Sequence, residues 1–207
     1  MYVVGVTGGI ASGKSAVGHE LEKLGAKILD VDKITRELLK SGGELFNAYV
    51  RHFGEIILDA DGNLNKKVVA DIIFNDETAR RWVNSVAHPM LLKRTRDFLA
   101  DCAAQGISLV VLEVPLLYEV GWEFLVDEVW AVYVDKETQI SRLMKRDGIT
   151  AEQARGRIDS QMSSKEIAER ADVVICNNQN SRRKLRKNIL DVARQRLPAM
   201  LSLKLET

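Results

Sequence analysis

The stretch Gly8-Gly9-Ile10-Ala11-Ser12-Gly13-Lys14-Ser15 constrains this chain more than any other feature. It fits the pattern G-x-x-x-x-G-K-[ST], and its flanks agree with the pattern. The apolar run Tyr2–Val6 precedes it as a buried strand, and Ser15–Leu24 follows it as an amphipathic helix ending at Gly25. Glycines let the backbone wrap closely around phosphate oxygens in conformations closed to larger residues. Successive N–H groups then line an anion-binding concavity, to which the helix adds its positive end. Lys14 can reach the outer phosphates of a nucleoside triphosphate, and the Ser15 hydroxyl can ligate Mg²⁺. A loop of this kind requires a strand on one side and a helix on the other, which already excludes an all-α or all-β chain.

The rest of the pattern extends that unit. Lys27–Val31, Ile107–Val114, Glu128–Val134 and Val173–Cys176 read as further short strands, rich in Val and Ile and mostly without alternation. That pattern suits a parallel sheet covered on both faces. With helices between the strands, the expected class is α/β, a P-loop NTPase-type parallel sheet flanked by helices. The long stretch from Asp32 to Ile107 shows no strand. Its apolar residues recur at helical spacing (Leu45, Phe46, Tyr49, Val50, Phe53; then Val68, Val69, Ile72, Ile73; then Trp82, Val83, Val86), broken by a turn at Asp59–Asn63. A crossover needs far fewer residues, so a helical insertion is expected there. It should end in a helix over Pro89–Ala104, with proline in the first turn and His88 as its cap or facing a substrate. A second insertion follows the fourth strand, where Thr150-x-x-Gln153 and Ser163-x-x-Glu166 read as capping boxes of two short helices. The last helix should span Ser181–Leu197, and the tail past Pro198 should fray.

Ligands of open α/β sheets sit beyond the carboxyl ends of the strands, which draws attention to the acids placed there. Asp30 and Asp32 end the second strand. Alternation would send both to one side, one taking a proton from an attacking hydroxyl and one holding Mg²⁺ through water, unless Asp32 merely caps the helix Lys33–Lys40. Glu113 ends the third strand in the manner of a Walker B acid, a weaker metal candidate, and Pro115 then ends the ladder. Arg142 and Arg146 share a helix face at i, i+4 and can close over phosphates, or simply form a solvated basic face. Asn177 follows the last strand, where it can touch a base or form a turn. The basic cluster Arg182–Lys187 reads as a solvated helix face.

Composition narrows the function. The 207 residues fit one domain with insertions, and 46% hydrophobic with 29% charged residues is ordinary globular usage. A formal net charge of +1 offers no field for nucleic acid or membrane. No apolar run approaches the ~20 residues that span a bilayer. The N-terminus lacks a secretory leader pattern, so a cytoplasmic location is the expectation. Cys102 and Cys176 read as buried free thiols.

Taken together, these residues resemble the dephospho-coenzyme A kinase family. The resemblance rests on Val6–Ser15, Ile28–Asp32, Ala87-His88-Pro89, Val114-Pro115-Leu116-Leu117-Tyr118-Glu119, Arg142-x-x-x-Arg146-Asp147 and Ala171–Asn178, in the family's order over nearly the whole chain. It implies a core over about 1–32, 106–138 and 172–207, a helical substrate domain over about 33–105 and a lid over about 139–171. It implies ATP and Mg²⁺ as cofactors and phosphorylation of the ribose 3′-hydroxyl of dephospho-coenzyme A, the last step of coenzyme A synthesis. In that scheme Gly8, Gly9, Ile10, Ala11, Ser12, Gly13, Lys14, Ser15 and Ala16 hold ATP with Arg142, Arg146 and Asn177. Asp32, Lys14 and Arg142 act in catalysis. Asp32, His88, Pro115, Leu116 and Leu117 meet the acceptor, and Ser15, Asp32 and Glu113 serve the metal. A monomer is implied. Ala16 stands where the family often has threonine, and Glu113 where aspartate is frequent.

Two other readings fit parts of the chain. A different small-molecule kinase, for a nucleoside or a shikimate-like acid, would share the loop, but the long insertion favours a bulkier acceptor. A GTPase switch would need an Asn-Lys-x-Asp base-reading motif, and the sequence has none.

Overall fold

The computed structural model describes residues 1–179 and 181–198, with Phe74 described by its backbone alone. Among the described residues five strands form one sheet: β1 (Tyr2–Thr7), β2 (Lys27–Asp30), β3 (Leu109–Glu113), β4 (Glu128–Tyr133) and β5 (Val173–Cys176). Their order is β2-β3-β1-β4-β5, and every pairing is parallel. The expected unalternated pattern holds for the inner strands: β3 is buried along its whole length, and β1 and β4 along all but one end residue each. It fails at the edges, because among the described residues β2 and β5 each pair with one strand and expose part of their length. Cys176 therefore lies exposed on edge strand β5, whereas Cys102 is buried as expected.

The helices are α1 (Lys14–Lys23), α2 (Val31–Leu38), α3 (Glu44–Phe53), α4 (Lys66–Asn75), α5 (Glu77–Ala104), α6 (Lys136–Asp147), α7 (Ala151–Asp159), α8 (Ser164–Arg170) and α9 (Arg182–Arg196). The chain divides into two compact units. One comprises Met1–Asp30 and the chain from Ala100 onward, and holds the sheet. Its core packs Val17 and Leu21 of α1 and Leu185, Ile189 and Ala193 of α9 against Val4, Val6, Val111, Trp130 and Val132. Across the foot of β4, buried Glu128 accepts from the Trp130 indole (2.9 Å) and pairs with Arg196, so its charge is answered.

The other unit, Val31–Leu99, is helical. Leu45, Phe46 and Tyr49 form its interior with Ile57 and Val83. Burial pushes the Tyr49 hydroxyl up to about 12. The turn at Asp59–Asn63 forms as expected, with Asp59 Oδ1 accepting from the N–H groups of Asp61 and Asn63. One expectation fails here. Pro89 does not open a helix but lies inside α5, which begins at Glu77, so His88 is mid-helix and caps nothing. A proline is a common start signal, but here the apolar face running through Val83, Ala87 and Leu91 carries the helix across it.

Both capping boxes form, at Thr150 with Gln153 and at Ser163 with Glu166. Ser181 caps α9, and Leu197 ends it. The expectation for the tail falls outside the described residues. Among the described residues no helix is long and apolar enough to cross a membrane.

Candidate active site

The loop from Gly8 to Gly13 joins β1 to α1 at the carboxyl edge of the sheet. Three of its residues have positive φ: Gly8 (144°), Ala11 (59°) and Gly13 (101°). Side chains are barred at Gly8, where a Cβ would lie 2.5 Å from the carbonyl oxygen of Val132. Gly13 has no room either, since Asn177 Nδ2 would be 2.6 Å from its Cβ. Lys14 folds back over the loop, donating to the carbonyl oxygens of Gly8 (2.8 Å) and Gly9 (3.2 Å). Its ammonium is thus already held at the loop that would cradle the phosphates, a fit to a triphosphate. Ser15 and Ala16 lie exposed in the first turn of α1, and the Ala16 N–H donates to Gly13 O (3.0 Å).

Neighbouring elements brace this loop. Arg142 of α6 donates to the carbonyl oxygen of Asn177 (2.8 Å) and, at 3.5 Å, to those of Ala11 and Ser12. Asn177 is buried, and its amide donates to Ser12 O (2.7 Å). The side chain expected on the base thus holds the loop instead, because the tight approach at Gly13 puts its amide against the backbone. Arg146 parts company with Arg142. It is exposed and bonds the adjacent Asp147 (2.7 Å), whose carboxyl is held below the usual range chiefly by that bond. Asp147 also takes Arg157 (2.9 Å). Asp135 caps α6, and the N–H of Thr138 holds its carboxyl low.

The acids at the strand ends sort differently from expectation. Glu113 is buried, and a Cβ on Gly18 would fall 1.9 Å from its Oε1. Gly18 and Ser15 are three residues apart on α1, hence on neighbouring positions of one face. The carboxylate of Glu113 therefore reaches the helix face that carries the Ser15 hydroxyl. Asp30 stands in register with Glu113 on the neighbouring strand. Among the described residues no three His, Cys, Asp or Glu side chains gather into a metal cluster. A hydroxyl with one or two carboxylates fits Mg²⁺, which keeps several waters and takes its other oxygens from phosphates. Asp32 is neither on the strand nor the helix cap. Helix α2 begins at Val31, so strand alternation does not relate Asp32 to Asp30, and Asp32 lies in the first turn of α2.

His88 belongs to the helical unit, where partial burial lowers its pKa. Pro115 accepts from the Thr7 hydroxyl (3.2 Å) through its carbonyl. Leu116 is exposed, whereas Leu117 is fully buried beside Gly5 and presents no side-chain surface to a ligand. Gly18, Gln139 and Gln161 were not anticipated. Gln139 had a faint signal, a polar residue three before Arg142 on the apolar face of α6. Gln161 had none.

Comparison with known proteins decides among the kinases. The sequence profile of the dephospho-CoA kinase family matches residues 2–183. This chain belongs to that family. A dephospho-CoA kinase of Geobacter sulfurreducens is 40% identical over 198 residues, covering 96% of this chain and 100% of the relative. The dephospho-CoA kinase structure from Campylobacter jejuni aligns at 28% identity with a TM-score of 0.67, covering 93% of this chain and 96% of that one. A Thermus thermophilus structure aligns at 26% identity with a TM-score of 0.79, covering 95% and 97%. As a dephospho-CoA kinase, the chain carries out ATP-dependent phosphorylation of dephospho-CoA, the last step of coenzyme A biosynthesis.

Proposed function

We propose that the transfer goes in line from ATP to the ribose 3′-hydroxyl, with roles distributed as follows. Gly8–Gly13 and Lys14 hold the donor phosphates, and Arg142 adds positive charge beside them. Ser15 and Glu113, with Asp32 through water, would hold Mg²⁺, which when bound neutralises charge on the phosphate oxygens. Asp32 orients the 3′-hydroxyl and takes its proton as that oxygen bonds the γ-phosphorus. The bond to the bridging oxygen breaks, and ADP leaves. Residues 139–171, carrying Arg142 and Arg146, act as a lid that excludes water. Residues about 33–105 receive the acceptor with His88, Pro115 and Leu116. The enzyme works as a cytoplasmic monomer in this reading.

The observation that carries it is the conformation of the loop, closed to side chains at Gly8 and Gly13 and spanned by Lys14. The acceptor side rests on Asp32, two residues past the end of β2 in the chain. Asp32→Asn should lower kcat by about a hundredfold or more, the scale of a lost general base, while ATP affinity holds within about twofold. An Asp32→Asn enzyme with normal turnover would remove Asp32 from the mechanism.

A further inference from the structure

Ile10 lies at the tip of the loop, and both of its backbone polar groups are taken by side chains from the segment after β4. The Ile10 N–H donates to Gln161 Oε1 (3.2 Å), and Gln139 Nε2 donates to the Ile10 carbonyl (2.8 Å). A backbone N–H can only donate and a carbonyl can only accept, so chemistry fixes how both amides point. The Ser164 hydroxyl completes the set by donating to Gln139 Oε1 (3.1 Å). Gln139 is 2% exposed, so its hydrogen bonds face no competition from water. Apolar contact reinforces the latch, because Ile10 and Ala11 pack on Ile140, Leu143, Ala154 and Ile158.

Two further features are explained by this arrangement. Ala11 has φ of 59°, a left-handed conformation that strains an L-residue and persists only where neighbours over-determine it. Gly9 has an ordinary φ, yet a Cβ there would lie 2.4 Å from Gln139 Nε2 and 2.9 Å from Ser164 Oγ. Its glycine makes room for the latch.

We propose that Gln139 and Gln161 are positioning residues for the donor phosphates. Acting through Ile10, they set the shape of the loop tip from α6 and the turn after α7. This rests on the reading of Gly8–Ser15 as the donor site. A loop ordered before ATP arrives spends no binding energy on ordering. Loss of either bond lets Ala11 leave its left-handed conformation and turns the loop N–H groups away.

The two glutamines play opposite hydrogen-bonding roles, and that supplies the test. Gln161→Glu keeps an acceptor for the Ile10 N–H. Gln139→Glu sets an acceptor against the Ile10 carbonyl. Both add one charge beside Ile10, but Gln139 is buried and Gln161 only half-buried, so the uncharged Gln139→Met, which removes the donor without adding charge, must raise the ATP Kd in the same direction for the lost hydrogen bond to be the cause. We expect Gln139→Glu to raise the Kd and KM for ATP about tenfold, with Gln161→Glu changing them at least about fivefold less. The KM for dephospho-CoA should not move. Ala11→Gly added to Gln139→Glu should recover part of the ATP affinity, because glycine adopts this conformation freely. Gln139→Met, which has no donor and no charge, replaces Gln139→Glu should that variant not fold. Equal effects of the two glutamates, or lost kcat and thermal stability with ATP Kd untouched, would overturn the proposal. Wild-type enzyme that binds no ATP would instead overturn the donor-site reading beneath it.

Discussion

At the scale of single residues, the informative position is Gly18. In an ordinary exposed helix, Gly→Ala gains about 1 kcal/mol. Here the new methyl would land on Oε1 of buried Glu113, and the carboxylate must swing away from the face that carries Ser15. Gly18→Ala should therefore fail to raise the melting temperature and should increase the Mg²⁺ concentration for half-maximal activity severalfold. A stabilised enzyme with unchanged Mg²⁺ dependence would separate Glu113 from the metal. The sequence alone could not show this contact, because Gly18 and Glu113 lie far apart in the chain and the sheet brings them together. The loop itself was legible, since Gly8–Ser15 is contiguous and its geometry is encoded in residue type. Asn177 was legible only as a position. Whether its amide faces a ligand or the loop depends on an approach at Gly13 that no local pattern records.

At the scale of elements, local signals worked where their partners are local. The capping boxes at Thr150 and Ser163 each close within three residues, and both form. The proline at 89 misled for the complementary reason. Its ring denies α5 one backbone hydrogen bond, yet the helix continues because its buried face outweighs that loss. Such a proline leaves stability unrealised. Pro89 is exposed, so Pro89→Ala should restore a donor to the Ser85 carbonyl with no loss of packing. We expect a gain of about 1–3 kcal/mol, below the full cost in an ideal helix, and a melting temperature higher by roughly 2–4 °C per kcal/mol. A lower melting temperature in calorimetry would show that α5 depends on the ring.

At the scale of the whole molecule, the order β2-β3-β1-β4-β5 puts β1 at the centre and the phosphate loop at its carboxyl end. The order was not readable from the strands themselves, since parallel pairing leaves no turn between neighbours to fix who lies beside whom. Class and strand positions were readable because β1, β3 and β4 are buried on both faces and so apolar nearly throughout. The charged surface carries little directional information. The basic run on α9 is exposed, and Arg186 pairs with Glu20 at 3.2 Å, a contact worth little in water. In the proposed reaction, function concentrates in the loop, its braces and the acids at the strand ends. In the proposed reaction this loop delivers the γ-phosphate of ATP to the ribose 3′-hydroxyl of dephospho-CoA. The direct measurement is ³¹P NMR of the products formed from ATP and dephospho-CoA with Mg²⁺. One new 3′-phosphomonoester per ADP released is the expected result. ADP released without that ester, or phosphate found on any other hydroxyl, would contradict it.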